Sequence, residues 1–259
     1  MKANKIINLV STFLAIAGLF SICHAQQLLV RILRNMKAEQ YFSEPQQIEL
    51  ARAVSKDDIK AVDNAIDKGA DVNKIGKEEM TPLAWAFAKQ NKASFQRLLE
   101  KGADPNFMTS KVAWNNEGQS VMQFAALSED SDYLRLALQY GGNPNAPDSL
   151  PGRTIIYTAI RNNRPENIKI LAKNGGHINY KDNTGFTPLM YSVFNTKYDI
   201  AYLILKLGAN PEIKTPRGQT IADIISENQD RSIQVLGKEK EQREWYNKVV
   251  AELKNQGLM

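Results

Sequence analysis

The chain has almost no cysteine and almost no histidine. Among its 259 residues Cys23 is the one cysteine, and His24 and His177 are the two histidines. Past residue 25 no cysteine remains, so that part can form no disulfide and can build no zinc site from Cys and His ligands. Cys-His chemistry is excluded there, and a Ser-His-Asp arrangement would need His177 as its base. His177 stands in a turn, where the expectation is a solvated residue. Glycine-rich phosphate loops are missing too, because Gly141-Gly142 and Gly175-Gly176 read as helix stops. The carboxylates do not gather into a pair suited to acid–base work. Asp57-Asp58 and Glu129-Asp130 fall where helices begin, which suits them electrostatically. A strong excess of one charge is also absent. Lys and Arg number 33 against 28 Asp and Glu, a net +5 that is scattered along the chain, whereas nucleic-acid binders concentrate basic groups on one face. No linker rich in Pro, Ser or Gly interrupts the sequence. These absences predict a non-enzymatic chain with no cofactor and no metal, taking neither nucleic acid nor a small-molecule substrate.

An uncharged apolar run from Ile6 to Ile22 follows Lys2 and Lys5 and is closed by Cys23-His24-Ala25. A basic start, an apolar middle and a small-x-small end are the pattern of a secretory signal peptide. Residues 1–25 are therefore expected to be removed between Ala25 and Gln26, placing the protein in the periplasm. Two alternatives stand beside it: a lipoprotein anchored through Cys23, and an uncleaved membrane anchor, for which the run is short. Loss of Lys2 and Lys5 lowers the net charge from +5 to +3.

The rest of the chain repeats itself. From Asp182 to Asn210 it reads as turn, helix, tight loop, helix and glycine stop. Thr187 is placed to cap the first helix and Pro188 to occupy its first position. Leu189 and Val193, then Ile200, Ile204 and Leu205, give each helix one apolar face. Comparable stops fall at Gly69, Gly102, Gly141, Gly175 and Gly208, spaced by 33, 39, 34 and 33 residues. Helix starts recur at Ile48, Thr81-Pro82-Leu83, Ser120, Thr154, Thr187-Pro188-Leu189 and Thr220. Helices this short cannot bury their apolar faces alone and must stack on neighbouring copies. The 39-residue spacing contains a six-residue extension within Phe107–Gln119, which carries Trp114. An amphipathic leader helix is expected over residues 26–45, with Leu29, Ile32, Leu33 and Met36 on one stripe. The repeats occupy 46–228, as a single domain with a continuous core. Residues 229–259 form a C-terminal cap, its last helix carrying Trp245, Val249, Val250 and Leu253 on one side, with Gly237 where a leucine is expected.

A period of 33 residues with Thr-Pro-Leu starts and glycine stops resembles the ankyrin-repeat family. The family's histidine after the leucine is absent, since Ala84, Gln123, Tyr157 and Met190 stand there. The family's usual hydrogen-bond network between repeats is therefore not expected in its usual form, while the stacking is. The resemblance implies an all-α solenoid of five to six helix-turn-helix repeats with extra terminal helices. It also implies binding of another protein on a concave face made by turn fingers and outward positions of the first helices. Mapped onto this chain, that face takes Trp85, Phe124 and Tyr191 from the fifth helix positions. It takes Lys89, Arg161 and Phe194 from the eighth and ninth, Arg153 and Phe186 from the fingers, and Trp114 from the extension. Trp, Tyr and Arg anchor protein interfaces, and clustered exposed apolar groups mark them. The fifth position is often a partly buried leucine in the family, so Trp85 and Phe124 equally suit a core role. With its export signal the chain looks like small ankyrin proteins of Gram-negative bacteria. Some of these are immunity proteins that neutralise a secreted toxin, phospholipase effectors among them, and the alternative is a structural or maintenance adaptor in the envelope.

Overall fold

In the computed structural model the described residues are 35–110, 118–148, 150–227 and 240–259. The signal segment, the first part of the leader helix, Trp114 and Gly237 lie outside them. Among the described residues the chain is helical, with two single antiparallel bridges, Met108 to Ser120 and Pro147 to Thr154.

The starts form where side-chain oxygens satisfy the orphan N–H groups of a helix N-terminus. Thr81 accepts from Ala84 N at 3.1 Å, Ser120 from Gln123 N at 3.2 Å and Thr187 from Met190 N at 3.3 Å. Helix α1 (Ala38–Tyr41) is a single turn. It is followed by the pairs α2 (Pro45–Ser55) and α3 (Ile59–Asp67), α4 (Pro82–Lys89) and α5 (Lys92–Glu100), α6 (Val121–Leu127) and α7 (Asp132–Gln139). Then come α8 (Ile155–Arg161) and α9 (Pro165–Lys173), α10 (Pro188–Phe194) and α11 (Tyr198–Lys206), α12 (Ile221–Glu227), and α13 (Lys240–Asn255). Helix α2 begins at Pro45, three residues before Ile48, because proline at the first position sets the helical φ there. The five stop glycines all hold φ between 85° and 96°, the left-handed region that only glycine enters without strain.

The chain divides into two compact units, with the boundary between Asp104 and Pro105. A single continuous core had been expected; the boundary falls in the turn that precedes the long connection. In the first unit α2 packs on α3 and α4, and α5 packs on α3 and α4. The leader does not run on as one helix. Met36 and Lys37 are non-helical, and Tyr41 and Phe42 turn inward as buried residues. In the second unit the first helices stack as α6, α8 and α10, and the second helices as α7, α9 and α11. The core of each layer is the expected apolar face. Leu189, Ile200, Ile204 and Leu205 are all buried, as are Leu83, Phe95, Leu98 and Leu99. Helix α13 packs mainly on α11. Its buried stripe is Tyr246, Val249 and Leu253. Trp245 sits half-exposed beside Tyr202, and Tyr198 meets Tyr246 edge-on at 5.2 Å.

Successive pairs are bonded by a ladder of asparagines. Asn73 donates to Gly102 O at 2.9 Å and accepts from Asp104 N at 2.8 Å. Asn106 does the same with Gly141 O and Asn143 N, and Asn145 with Gly175 O and His177 N. Asn179 accepts from Asn210 N at 2.8 Å. The amides of Asn73, Asn106 and Asn145 each satisfy the carbonyl of one stop glycine and an N–H of the next turn, groups that a helix end leaves orphaned.

Candidate functional site

The candidate site lies in the second unit, on the fingers 146–154 and 180–187 and on the helices α8 and α10 that they precede. Asp182 opens the second finger and is turned inward, its side chain 1% exposed. Its carboxylate accepts from Thr184 N at 2.9 Å, from the Thr184 hydroxyl at 2.5 Å and from Phe186 N at 3.1 Å, closing the finger on itself. The Arg153 Nε of the preceding finger donates to Asp182 Oδ2 at 2.8 Å. Burial, the largest single influence, opposes the charge on Asp182. The hydrogen bonds from Thr184, Arg153 and the finger backbone together outweigh it and hold the carboxyl below its usual range.

Tyr157, in α8 at the place of the absent histidine, finishes the anchoring. It is fully buried, and its hydroxyl lies 2.7 Å from both Tyr180 O and Phe186 O, at the two ends of the same finger. Burial raises the phenol well above its ordinary value, so it stays a donor. The ring meets Tyr191 edge-on at 5.6 Å, and the Arg153 guanidinium lies 4.5 Å over the Tyr191 ring. Phe186, displayed by the anchored finger, packs on Phe194 at the end of α10, with ring centroids 4.8 Å apart. Phe194 is 51% exposed, the largest exposure of any aromatic ring recorded as an exposed large hydrophobic in the described chain. Phe186 and Tyr191 are half-buried beside it.

Arg161 does not join this group. Its Nη2 donates to Asp148 Oδ1 at 3.0 Å, and Gln123, at another of the histidine places, donates its Nε2 to the same oxygen at 3.3 Å. The Asp148 side chain is fully buried. Gln123 and Tyr157 thus bond finger to helix by different chemistry, in answer to the missing histidines. Phe124 is half-buried on α6.

Two expected binding residues of the first unit are corrected. Trp85 is fully buried, with its indole N–H donating to Ala51 O and to the Ser55 hydroxyl, both at 2.9 Å. Tyr41 and Phe42 close over its ring. It is core because the turn at α1 brings those two rings down on it. Lys89 folds back inside the unit, its Nζ 2.7 Å from Met36 O and 4.6 Å over the Trp85 ring, and burial lowers its pKa. A cleft of about 570 Å3 beside it is lined by Lys37, Glu39, Arg52, Lys56 and Lys89. Lys56 and Lys89 stand there at the ends of α2 and α4, where helix carbonyls favour cations. Trp114 lies outside the described residues. Among the described residues no group of three or more His, Cys, Asp or Glu stands close enough to hold a metal ion, and no helix is long and apolar enough to cross a membrane.

The anchoring residues Tyr157, Asp182 and Asp148 were not among the sequence candidates. A polar or aromatic residue at the histidine place, with an Asp opening the finger, was the signal available for them. The family model for ankyrin repeats in three copies matches residues 50–148 and 122–215. The chain is 30% identical to protein PhlB of Serratia liquefaciens over 55% of its length, and also 30% identical to an ankyrin repeat protein of Acanthamoeba polyphaga mimivirus over 54%. It spans 60% of the first of these relatives and 18% of the second. An ankyrin repeat domain from Acinetobacter baumannii AYE superposes with a TM-score of 0.59 at 24% identity, covering 72% of this chain and 94% of that one. With matched repeats over more than half its length and the stacked helix pairs described above, the chain belongs to the ankyrin-repeat family.

Proposed function

We propose that the chain is an exported binding module that grips one partner protein through the face carrying Phe186, Tyr191 and Phe194, and that by doing so it neutralises a toxic effector of phospholipase type. Ankyrin repeats are protein-interaction scaffolds, and the match to a Serratia protein supports a bacterial setting. The observation that carries the reading is Phe194. A ring 51% exposed on a finger and helix held rigid by Asp182, Arg153 and Tyr157 contributes little to the fold. A rigid, wet aromatic is the anchor of a protein interface, because it can be dried on binding with little loss of conformational entropy. Export rests on the Lys2–Ala25 pattern, and intact-mass measurement of the periplasmic protein tests it, with Gln26 as the expected first residue.

The experiment for binding is affinity capture of the partner from envelope extracts, followed by titration against Phe194→Ala. An anchor of this kind is worth about 2–4 kcal/mol, about 30- to 1000-fold in affinity, while the melting temperature of the variant stays near wild type. Inhibition of the captured partner's lipase activity is the expected sign of neutralisation. Wild-type affinity in Phe194→Ala refutes this face, and a partner bound without inhibition refutes the neutralising role.

A further inference from the structure

Exposed cations stand on the fingers around the aromatic pair. The two arginines nearest to it are committed, Arg153 to the buried Asp182 and Arg161 to the buried Asp148. The charge left on this face comes from the finger tips, where Lys181, Lys214 and Arg217 are all exposed. The second finger touches a third, residues 213–220. Lys181 Nζ donates to Lys214 O at 2.9 Å, and a side chain at Gly185 would meet the Pro216 ring at 2.5 Å. Arg217 follows that proline and Phe186 follows that glycine, so cations and aromatics share one surface.

The acids of this region offset only part of that charge. Asp182 faces inward. Asp223 caps Thr220, and those bonds together with the nearby Lys214 hold its carboxyl below the ordinary range. Glu227 accepts from Gln219 at 2.6 Å. Glu212 stands at the base of the third finger, at the place of the ladder residue Asn179 in the preceding one. Among the described residues no carboxylate pairs with Lys181 or Arg217.

We propose that this face takes a partner segment in which an apolar side chain is flanked by carboxylates. The apolar group seats on Phe186 and Phe194, and the carboxylates meet Lys181, Lys214 and Arg217. This rests on the protein-binding reading above and adds the chemistry of the partner. Opposite charge at the rim of a dry centre steers encounter and excludes wrong partners more than it adds affinity. The apolar contact therefore carries the strength and the charges carry the selectivity.

The test is selection from a random-peptide display library against the wild-type protein, the charge reversal Lys181→Glu/Arg217→Glu, the neutral Lys181→Gln/Arg217→Gln, and Phe194→Ala. All sites are at the surface, and a thermal melt confirms folding of each. Wild-type protein is expected to enrich peptides with Asp or Glu beside Phe, Leu, Trp or Tyr. The reversal should abolish the acidic preference, and Phe194→Ala the apolar one. A synthesised winner should lose affinity about tenfold on reversal and less on neutralisation, with the difference shrinking at high salt. Failure to select any peptide, selection without acidic residues, or the same peptides from the reversed protein overturns the proposal. Vesicles of phosphatidylglycerol that bind as tightly as the peptide, and are released by the same reversal, would assign the cations to a membrane surface and overturn it too. A captured partner that depends on Phe194 but ignores the reversal sinks this inference alone. Peptide selection as expected, with capture indifferent to Phe194→Ala, sinks the functional reading instead.

Discussion

Replacing Tyr157 by phenylalanine removes one oxygen from the centre of the candidate site. The ring keeps its place, since it is fully buried and packed edge-on against Tyr191. Almost no cavity opens, so the transfer and cavity costs of a core truncation do not arise. What is lost is one O–H donor shared between Tyr180 O and Phe186 O, and Phe186 O keeps the Asp182 N–H at 2.9 Å. Tyr180 is exposed and both bonds are part-buried, so the loss is that of one net hydrogen bond, about 0.5–1.5 kcal/mol. Relief of the buried hydroxyl's own desolvation works the other way, but it is small once the hydroxyl is well bonded. For a chain of this size each kcal/mol moves the melting temperature by about 2–4 °C, so Tyr157→Phe should melt about 1–6 °C lower. The effect should be local as well. Amide exchange at Asp182, Thr184 and Phe186 should quicken in the native state, because this hydroxyl lies within bonding distance of both ends of the finger. Far-UV circular dichroism gives the melt and hydrogen exchange followed by NMR gives the amides. An unchanged melt together with unchanged exchange at those three amides would refute the role assigned to the phenol.

Two further predictions follow from local geometry and charge. Thr196, between α10 and α11, holds φ at 56°, a left-handed conformation that costs a β-branched residue about 1–2 kcal/mol. Thr196→Asn should raise the urea midpoint by about 1 kcal/mol of stability at unchanged slope, and a lower midpoint contradicts the strain argument. The carboxyl of Asp182 is held below its ordinary value of 3.8 in the folded protein. A depressed folded value contributes stability that is present above the unfolded value and is lost as pH falls through the folded one. Stability should thus be level from neutrality to about pH 4 and decline below it. Asp182→Asn should start lower at neutral pH and decline less steeply in acid, and an equal acid slope in both proteins would be inconsistent with this account.

The repeat architecture was legible because its signals agree with each other. Thr187, Pro188, Leu189 and Gly208 each have a local conformational reason to stand where they do, and the same reasons recur at a fixed period. The boundary at Asp104 and the broken leader were not legible. Period and propensity say where helices start, not which neighbours hold them. The site residues divided for a physical reason. Trp85 and Phe194 are both aromatic and both sit on first helices of their pairs, and helix position alone left Trp85 open between core and face. What separates them is the neighbour above. Tyr41 and Phe42 descend on Trp85, whereas among the described residues Phe194 meets the Phe186 ring and stays 51% exposed. Arg153 and Arg161 read equally well as interface cations. Each instead found a buried aspartate from a finger, an arrangement that depends on how far one repeat sits from the next.

The absent histidines link these outcomes. Where the histidine would stand, Gln123 bonds Asp148 alongside Arg161, while the Tyr157 hydroxyl lies between the two ends of the following finger and its ring stands beside Arg153. Each substitute thus stands beside an arginine that a buried aspartate holds. An arginine held by a buried carboxylate presents little net charge to a partner, since desolvating it further on binding gains nothing in pairing. The face is therefore left with its aromatics at the centre and its cations at the finger tips. Any partner that fits it must bring apolar surface to the middle and meet the charge only at the edge.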